Sequence, residues 1–355
     1  MMKKLIFPLL FVLGISTHVD AQKPYKAYMV SNTHLDTQWL WTVQTTIDHY
    51  LYRTLTQNFW LIDHYPGYIF NFEGAVRYQW AKEYYPTEYE RLKNYIKAGR
   101  WNISGSSWDS TDPNIPSPES FFRNLLYGQE FFKKEFGKKS NDIFLPDCFG
   151  FGYTLPTIAA HSGIIGFSTQ KLQHRKLPFY GDHKLPFMFG LWEGIDGARI
   201  MAVPHAQDYV SRFDGQELSN NGKLVDLAKN GLNNTVYHYY GAGDRGGSPT
   251  IASVRSVETG MKGEGPVQII SARSGQLFDD YYPFEKHPEL PVFKGELLMD
   301  VHATGCYTSQ AAMKLFNRRN ELLADAAERA SVVAEWLGGA AYPEEPLRES
   351  WQRFL

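Results

Sequence analysis

The feature that most constrains this chain is a strand-like segment that ends just before an acidic residue, a pattern that occurs three times. Each segment is rich in aliphatic, aromatic or β-branched residues, which favours a buried β-strand. The segments are residues 28–30 before His34 and Asp36, residues 142–146 before Asp147, and residues 235–240 before Asp244. In α/β sheets and barrels, ligands bind at the carboxyl edge of the strands. The pattern therefore predicts an α/β fold with an acidic site at that edge.

His34 and Asp36 form a short motif directly after the first of these segments. An imidazole nitrogen and a carboxylate oxygen two residues apart at a strand end can turn towards one point. Both are ligands that a zinc-like ion accepts. Each aspartate taken alone can equally be a turn residue or a helix cap. The metal-site hypothesis therefore depends on the three segments meeting in space.

Composition narrows the classes of function. The 355 residues carry a net charge of −2, so the charge gives no reason to expect nucleic acid or an anionic membrane surface as a partner. A hydrophobic fraction of 43% with 21% charged residues predicts a folded chain with a large core. The aromatic fraction of 15% fits either core packing or contact with the flat faces of sugars.

The N-terminus is typical of an export signal. A basic start is followed by the apolar residues 5–15 and by small residues before Gln22. We therefore expect residues 1–21 to be a cleavable signal peptide and the protein to be secreted, which in a Gram-negative bacterium means the periplasm. The apolar run is too short to cross a bilayer, so no membrane span is expected after cleavage.

Three helices are marked by the residues at their ends, with proline or an N-cap serine at the start and glycine at the end. Their predicted ranges are 86–99, 117–137 and 309–338. Apolar residues at steps of three, four or seven predict one apolar stripe along the third helix. Because strand signals stop before it, we expect an α/β domain with the site over residues 22–295 and the beginning of a helical domain over residues 296–355.

At six places, in the same order, the chain resembles glycoside hydrolase family 38, the α-mannosidases. The similar segments are residues 33–41, 105–120, 145–156, 191–197, 240–250 and 307–321. Together they extend along nearly the whole chain after the signal peptide. The resemblance implies the family's fold, an irregular (β/α)7-type barrel followed by the start of an α-helical bundle.

The resemblance also implies roles for particular residues in a metal-dependent, retaining α-mannosidase. It implies that the metal is bound by His34, Asp36 and Asp147. It also implies that Asp147 is the nucleophile and Asp244 the general acid/base. The subsite for the cleaved mannose would be lined by Trp39 and Phe149. The metal, for which we expect one Zn²⁺ per site, would hold ring hydroxyls. The residue types suit this reaction, because retaining hydrolysis needs two carboxyl groups about 5–5.5 Å apart.

Three further residues are candidates for substrate contact, each with a plainer alternative. Asp112 can contact the sugar or only cap a turn. Lys171 lies where the family often has a basic site residue, but it can also be a surface lysine. His205 can belong to the site or be a buried, hydrogen-bonded histidine.

The chain departs from the family pattern at its C-terminus. The family's fourth metal ligand is a histidine that we expect beyond Leu355, so the resemblance implies the N-terminal portion of a longer enzyme. A site with three ligands would bind metal more weakly. An unfinished helical bundle would also leave an apolar helix face exposed.

Two other functions remain open at this stage. A metal-dependent polysaccharide deacetylase or similar hydrolase would use the same ligands, although the glycine-rich turn with Asp244 would then have no clear part in the reaction. A non-catalytic sugar-binding fragment would retain the aromatic residues without turnover. The leading hypothesis is hydrolysis of α-mannosidic bonds in N-glycan or mannan fragments.

Overall fold

The computed structural model describes residues 23–174, 185–299 and 302–355. The expected signal peptide lies outside these residues and remains a prediction. Within the described residues, no helix is both long and apolar enough to cross a bilayer.

The described residues form twelve strands and eleven α-helices in a mixed α/β order. The strands are β1 (Tyr25–Thr33), β2 (Phe70–Glu73), β3 (Trp101–Ser104), β4 (Asp142–Phe144), β5 (Gly150–Phe151), β6 (Gly166–Ser168), β7 (Gly190–Glu193), β8 (Arg199–Val203), β9 (Thr235–Ala242), β10 (Val267–Ser271), β11 (Val292–Lys294) and β12 (Leu297–Leu298). The helices are α1 (Val43–Thr45), α2 (Tyr52–His64), α3 (Ala75–Tyr84), α4 (Pro86–Lys97), α5 (Pro118–Phe136), α6 (Leu155–His161), α7 (Gly222–Lys229), α8 (Ile251–Gly260), α9 (Gln276–Asp280), α10 (Ala311–Trp336) and α11 (Glu344–Phe354).

Most of the strands belong to two five-stranded sheets. In the first, β1 pairs in parallel with β9 on one side and with β10 and β2 on the other, and β2 pairs with β3. The second has the order β11-β7-β8-β6-β4 and is parallel except for the β7–β8 pair. Strands β5 and β12 form a separate antiparallel pair. The prediction of an α/β fold with parallel sheets is confirmed.

The two sheets adjoin at two places, so that they surround a shared interior. Beyond β3, the Ser106 hydroxyl donates a hydrogen bond of 2.7 Å to the Asp142 carbonyl of β4. Beyond β8, the Ala206 carbonyl accepts a 2.7 Å hydrogen bond from the Tyr239 amide of β9. Among the described strands, pairing does not continue from β3 to β4 or from β8 to β9. The two sheets together therefore resemble a barrel, but the strand pairing is interrupted between β3 and β4 and between β8 and β9.

Strand β1 is the central strand of the first sheet, and every residue from Ala27 to its end is buried. Parallel strands covered on both faces favour apolar residues, as in the first half of β1. The polar residues in its second half are hydrogen-bonded instead. The Thr33 hydroxyl donates a hydrogen bond to the Gly247 carbonyl at 2.9 Å, and the side-chain amide of Asn32 donates one to the Tyr240 carbonyl at 3.2 Å. These bonds fix the end of β1 against β9 and the turn that follows it.

The three predicted helices are confirmed as α4, α5 and α10. The Ser117 side chain accepts a 3.2 Å hydrogen bond from the Ser120 amide and so caps the start of α5. The same helix ends before Gly137, whose φ of 67° is a left-handed conformation that glycine adopts without strain. End residues located α4 and α5, whereas the apolar stripe also contributed to the prediction of α10, whose N-cap is Gln310 and has no side-chain cap hydrogen bond.

The predicted apolar stripe of α10 faces solvent. Leu315, Leu322, Val333 and Leu337 are 48%, 53%, 52% and 71% exposed, whereas Glu321 of the same helix is buried. The expectation of an exposed apolar helix face is confirmed. The proposed division into an α/β domain and a helical domain remains a prediction.

Helices α10 and α11 dock on α5 through polar contacts. The Glu321 carboxylate accepts a 2.7 Å hydrogen bond from the Ser117 amide, at the positive end of the α5 dipole. Both oxygens of Glu328 accept hydrogen bonds of 2.7 Å from the Arg123 guanidinium. The buried Trp351 of α11 donates its indole N–H to Glu328 at 2.7 Å. Charge-assisted hydrogen bonds therefore hold this helical pair in place.

Replacing Gly128 with alanine is expected to destabilise the protein by about 1–3 kcal/mol through overpacking in the interior of α5. A Cβ there would overlap the backbone of Ser106 and Ser107, which pack directly on the helix. Helix propensity alone would predict the opposite sign, a gain of about 0.5–1 kcal/mol. Urea unfolding of Gly128→Ala measures the difference.

The matched control is Gly222→Ala at the start of α7, where a Cβ would meet nothing within 4 Å. We expect this variant to be neutral or slightly more stable. A stabilised Gly128→Ala would show that α5 does not approach residues 106–107 closely.

Candidate active site

The turns after β1, β4 and β9 come together at the carboxyl edge of the sheets. Thr33 and Ala242 are paired at the ends of β1 and β9. Beyond them, the Asp36 amide donates a 2.8 Å hydrogen bond to the Asp244 carbonyl. The turn after β4 brings the Asp147 carboxylate to within 3.9 Å of the His34 ring, so all three turns contribute to one site.

His34, Asp36 and Asp147 each place one ligand atom within 4.8 Å of the others. The Nε2 atom of His34 lies 3.0 Å from Asp36 Oδ1 and 3.9 Å from Asp147 Oδ2. The histidine is buried and the two carboxylates are partly exposed, so the cluster opens towards solvent on its acidic side. One imidazole nitrogen and two carboxylate oxygens facing a common point are a ligand set that suits zinc.

The other ring nitrogen of His34 is held by Glu73, whose Oε1 lies 2.8 Å from Nδ1. Burial lowers the pKa of His34, but hydrogen bonds with Asp36 and Glu73 outweigh it and raise that pKa to about 10. The surroundings thus favour positive charge at this ring. A divalent cation at Nε2 would supply that charge while Glu73 keeps the Nδ1 hydrogen, which is the usual arrangement around metal-bound histidines.

A buried arginine supports the turn after β1 that carries the two candidate metal ligands, His34 and Asp36. Both Nε and Nη2 of Arg77 donate to the Leu35 carbonyl, the former at 3.1 Å. The Nη1 atom donates to Asp109 at 2.7 Å, and Asp109 also accepts a hydrogen bond from Thr37. Gly74 has a φ of 78°, and a Cβ at that position would collide with the guanidinium. The Arg77 guanidinium therefore fixes the turn after β1, and it fits there because Gly74 has no side chain.

Tyr209 connects the two aspartates expected to carry out catalysis. Its hydroxyl oxygen lies 2.9 Å from Asp244 Oδ1 and 3.3 Å from Asp147 Oδ2. Because the Asp147 and Asp244 carboxylates contact the same hydroxyl, their positions are compatible with the separation of about 5–5.5 Å between the two carboxyl groups of retaining glycosidases. Burial, followed by the negative charges of Asp147 and Asp244, raises the pKa of Tyr209. The phenol therefore keeps its proton and can donate it in a hydrogen bond.

The turn that presents Asp244 is held by its backbone. Asp244 has a φ of 60°, an uncommon conformation for a residue with a side chain, and Gly246 follows with 69°. A Cβ at Gly246 would press on the Thr54 hydroxyl of α2. The Arg53 guanidinium of the same helix donates to the Arg245 carbonyl at 2.6 Å. Helix α2 thus fixes the direction in which the Asp244 side chain leaves the turn.

Lys171 lies at the centre of the site, and its interpretation as an ordinary surface lysine is wrong. Its ammonium group is 2.7 Å from Asp147 Oδ1, and the side chain is 17% exposed. The same group lies 5.8 Å from the ring centre of Phe149 and 5.7 Å from that of Tyr209. Lys171 therefore gives Asp147 a cationic partner opposite the side that faces His34.

The contacts of the other three predicted residues are as follows, and only His205 is next to a residue of this centre. Trp39 is 61% exposed and packs edge-on against Trp41, with ring centres 6.1 Å apart. His205 Nδ1 lies 3.0 Å from the Gln170 carbonyl, next to Lys171. Asp112 accepts a 2.9 Å hydrogen bond from the amide two residues later, and burial raises its pKa to about 6.

Three residues of the site were not predicted. Glu73 is the last residue of the short strand β2 and repeats the pattern of an acid at a strand end, a signal that could have identified it. Tyr209 lies in the same segment as His205, but a single tyrosine carries no recognisable pattern. Nothing in the sequence distinguishes Arg77 from other helical arginines.

Comparison with known proteins identifies relatives of this chain. Residues 24–296 match the model for the Glycosyl hydrolases family 38 N-terminal domain. Alpha-mannosidase G of Dictyostelium discoideum is 35% identical over 340 residues, which are 95% of this chain and 30% of that protein. An alpha-mannosidase of Saccharomyces cerevisiae is 31% identical over 356 residues, 95% of this chain and 31% of the relative. The chain thus spans under a third of the length of these relatives.

A solved structure shows the same fold. An alpha-mannosidase from Enterococcus faecalis superposes with a TM-score of 0.72 at 21% identity, over 93% of this chain and 38% of that chain. At this level of identity, the similarity concerns the fold and not the activity.

Replacing Glu73 with glutamine is expected to lower affinity for Zn²⁺ about 10–100-fold, the usual effect of changing a residue that orients a metal-binding histidine. The amide oxygen can still accept from His34 Nδ1, but the carboxylate charge that makes the ring a better ligand is lost. Isothermal titration of Zn²⁺ or Co²⁺ into the metal-free protein measures the change.

Glu193→Gln is the matched control, because Glu193 is also a buried glutamate at a strand end but pairs with Arg199 and Lys294. Its metal affinity should equal that of the unmodified protein. A folded Glu73→Gln variant with unchanged affinity would contradict a metal at His34.

Proposed function

The chain belongs to glycosyl hydrolase family 38, and we propose that it carries the catalytic centre of a metal-dependent, retaining α-mannosidase. Its substrates would be mannose-containing glycans such as N-glycan or mannan fragments. The alpha-mannosidases among its relatives support this activity. The observation that carries the proposal is the pair Asp147 and Asp244 on one tyrosine hydroxyl, beside a His/Asp/Asp cluster.

In the first step, an oxygen of Asp147 attacks the anomeric carbon of the terminal mannose. The bond from that carbon to the glycosidic oxygen breaks, and Asp244 transfers its proton to this oxygen as the leaving group departs. The products are a mannosyl ester on Asp147, a free alcohol on the leaving sugar and an Asp244 carboxylate.

In the second step, Asp244 acts as a base. It takes a proton from water while the water oxygen attacks the anomeric carbon, and the ester bond to Asp147 breaks. Mannose leaves with the anomeric configuration of the substrate, because two inversions have occurred. Asp147 and Asp244 return to their starting protonation states.

Tyr209 can hold the two aspartates in position for these two steps. A phenol has one proton to donate and an oxygen that also accepts. The Tyr209 hydroxyl can donate that proton to Asp244 Oδ1 or to Asp147 Oδ2, which leaves the other oxygen of Asp244 for the proton that goes to the leaving group. Both contacts are within hydrogen-bond distance, at 2.9 and 3.3 Å. The Lys171 ammonium, 2.7 Å from Asp147 Oδ1, holds the other oxygen of the nucleophile in place.

His34, Asp36 and Asp147 would hold the divalent cation, for which zinc is our assignment. When bound, such an ion would act as a Lewis acid that orients and polarises hydroxyl groups of the sugar. Trp39 and Phe149 would line the subsite for that sugar, with Asp112, Lys171 and His205 as further contacts. We also propose export to the periplasm or medium, on the basis of the signal peptide in residues 1–21.

Asp244→Asn should lower kcat/KM for phenyl α-mannoside by about 10²–10⁴, the range for losing a general acid. The loss should be much smaller for 2,4-dinitrophenyl α-mannoside, since dinitrophenolate leaves without being protonated. Asp214→Asn, at an exposed aspartate outside the site, is the control. The assay contains Zn²⁺, and NMR of the first product identifies its anomeric configuration.

An equal loss on both substrates would contradict the assignment of Asp244 as the acid. An inverted product would rule out the covalent intermediate. Release of acetate from acetylated mannan, without cleavage of either mannoside, would instead favour the deacetylase hypothesis.

A further inference from the structure

An exposed group of aromatic and cationic side chains lies next to the turn that presents Asp244. The Arg245 guanidinium lies 5.4 Å from the ring centre of Trp41, and Trp41 packs edge-on against Trp39 and Tyr50. We call Trp41 and Arg245 the platform. Its position directly after Asp244 makes it a candidate for contact with the substrate beyond the cleaved bond.

The Arg245 guanidinium has donors to offer. The residue is exposed, and among the residues that the structure describes its side chain has neither an ion pair nor a hydrogen bond. Other arginines around the site are engaged. Arg77 is bound to Leu35 and Asp109, and Arg53 donates to backbone carbonyls. Among the described residues, the Arg245 side chain is thus held by its contact with the Trp41 ring, and its N–H groups remain available to a ligand.

The platform is held in place by hydrogen bonds that lead back to the metal-ligand turn. The Trp41 indole N–H donates to the Thr46 hydroxyl at 2.8 Å, and Thr46 donates to the Thr37 carbonyl at 2.8 Å. On the other side, Arg53 holds the Arg245 carbonyl. A side chain positioned in this way loses little conformational freedom when it binds a ligand, which favours affinity.

The proposed reaction fixes which part of the substrate lies here. A general acid must be within hydrogen-bond distance of the oxygen that it protonates. That oxygen belongs to the leaving group, so the leaving sugar lies on the Asp244 side of the cleaved bond. Arg245 is the next residue after Asp244 and points to solvent, where a chain of further sugars can extend.

We propose that the Trp41–Arg245 platform binds the sugar of the leaving group, an inference that rests on the proposed function. The ligand is a pyranose whose hydroxyl oxygens accept hydrogen bonds from Arg245, while Trp41 holds the guanidinium flat. The guanidinium presents several N–H donors in a fixed plane, which suits neighbouring hydroxyls. A substrate without a second sugar has nothing to place there.

Two substrates with different leaving groups distinguish a contact with the leaving sugar from a role in bond cleavage. α-Mannobiose has a sugar as leaving group, whereas α-mannosyl fluoride releases only fluoride. Arg245→Ala should lower kcat/KM for α-mannobiose about 10–100-fold, the expected loss of hydrogen bonds to a charged group. Its kcat/KM for α-mannosyl fluoride should stay within about twofold, because that transition state does not include the platform.

Trp41→Leu should lower kcat/KM for α-mannobiose more than for α-mannosyl fluoride. The guanidinium loses its support, and the lost contact with Trp39 adds a smaller loss on both substrates. Arg255→Ala is the matched control, because Arg255 is an exposed arginine of α8, outside the site, and has no ion pair among the described residues. This variant should be unchanged on both substrates. An equal loss on both substrates in Arg245→Ala, or no loss on either, would overturn the assignment.

A binding measurement keeps the inference separate from the proposed function. In the Asp244→Asn protein with Zn²⁺, calorimetry compares α-mannobiose with methyl α-mannoside, which lacks the second sugar. We expect tighter binding of α-mannobiose, and loss of that preference in Asp244→Asn/Arg245→Ala. If the unmodified protein cleaves neither α-mannobiose nor α-mannosyl fluoride, the proposed activity is wrong. The tighter binding of α-mannobiose then remains as the test of whether the platform binds a second sugar. Equal binding of both sugars, or binding of neither, would overturn it.

Discussion

The site depends on a concentration of negative charge that the fold has to compensate. Glu73, Asp36 and Asp147 approach a single imidazole ring, with the Asp244 turn beside them. Carboxylates brought together at low exposure repel each other and lose hydration unless cations are near. Arg77 and Lys171 supply fixed positive charge. Burial lowers the pKa of His34, but its hydrogen bonds with Asp36 and Glu73 outweigh burial and raise that pKa. In the proposed enzyme, a divalent ion at His34 Nε2 would supply further positive charge.

Helix packing far from the chemistry determines where these groups lie. Helix α5 approaches the segment after β3 closely because Gly128 has no side chain. The Asn124 carbonyl and side chain of the same helix accept hydrogen bonds from the amides of Trp108 and Asp109, at 2.8 and 3.0 Å. Asp109 then holds Arg77, which holds the ligand-bearing turn. A continuous series of contacts thus connects the core of a helix interface to the candidate metal ligands.

Sequence patterns predicted those parts of the molecule that depend on local chemistry. Caps and glycines located the helices, and strand-like segments before acids located His34, Asp147 and Asp244, because each signal lies within a few residues. The partners of these residues come from parallel strand pairing and from loops distant in sequence. Tyr209 reaches both aspartates only because the segment after β8 runs beside β9. No local pattern encodes such a contact.

The most direct test of the account is to identify the residue that becomes covalently attached to the sugar. The protein is incubated with Zn²⁺ and 5-fluoro-α-mannosyl fluoride, a substrate analogue whose glycosyl-enzyme is hydrolysed slowly. Peptide mass spectrometry then locates the adduct. The account predicts one 5-fluoromannosyl group on Asp147, and none in Asp147→Asn. An adduct on another residue, or rapid turnover of the analogue without any adduct, would contradict the role of Asp147.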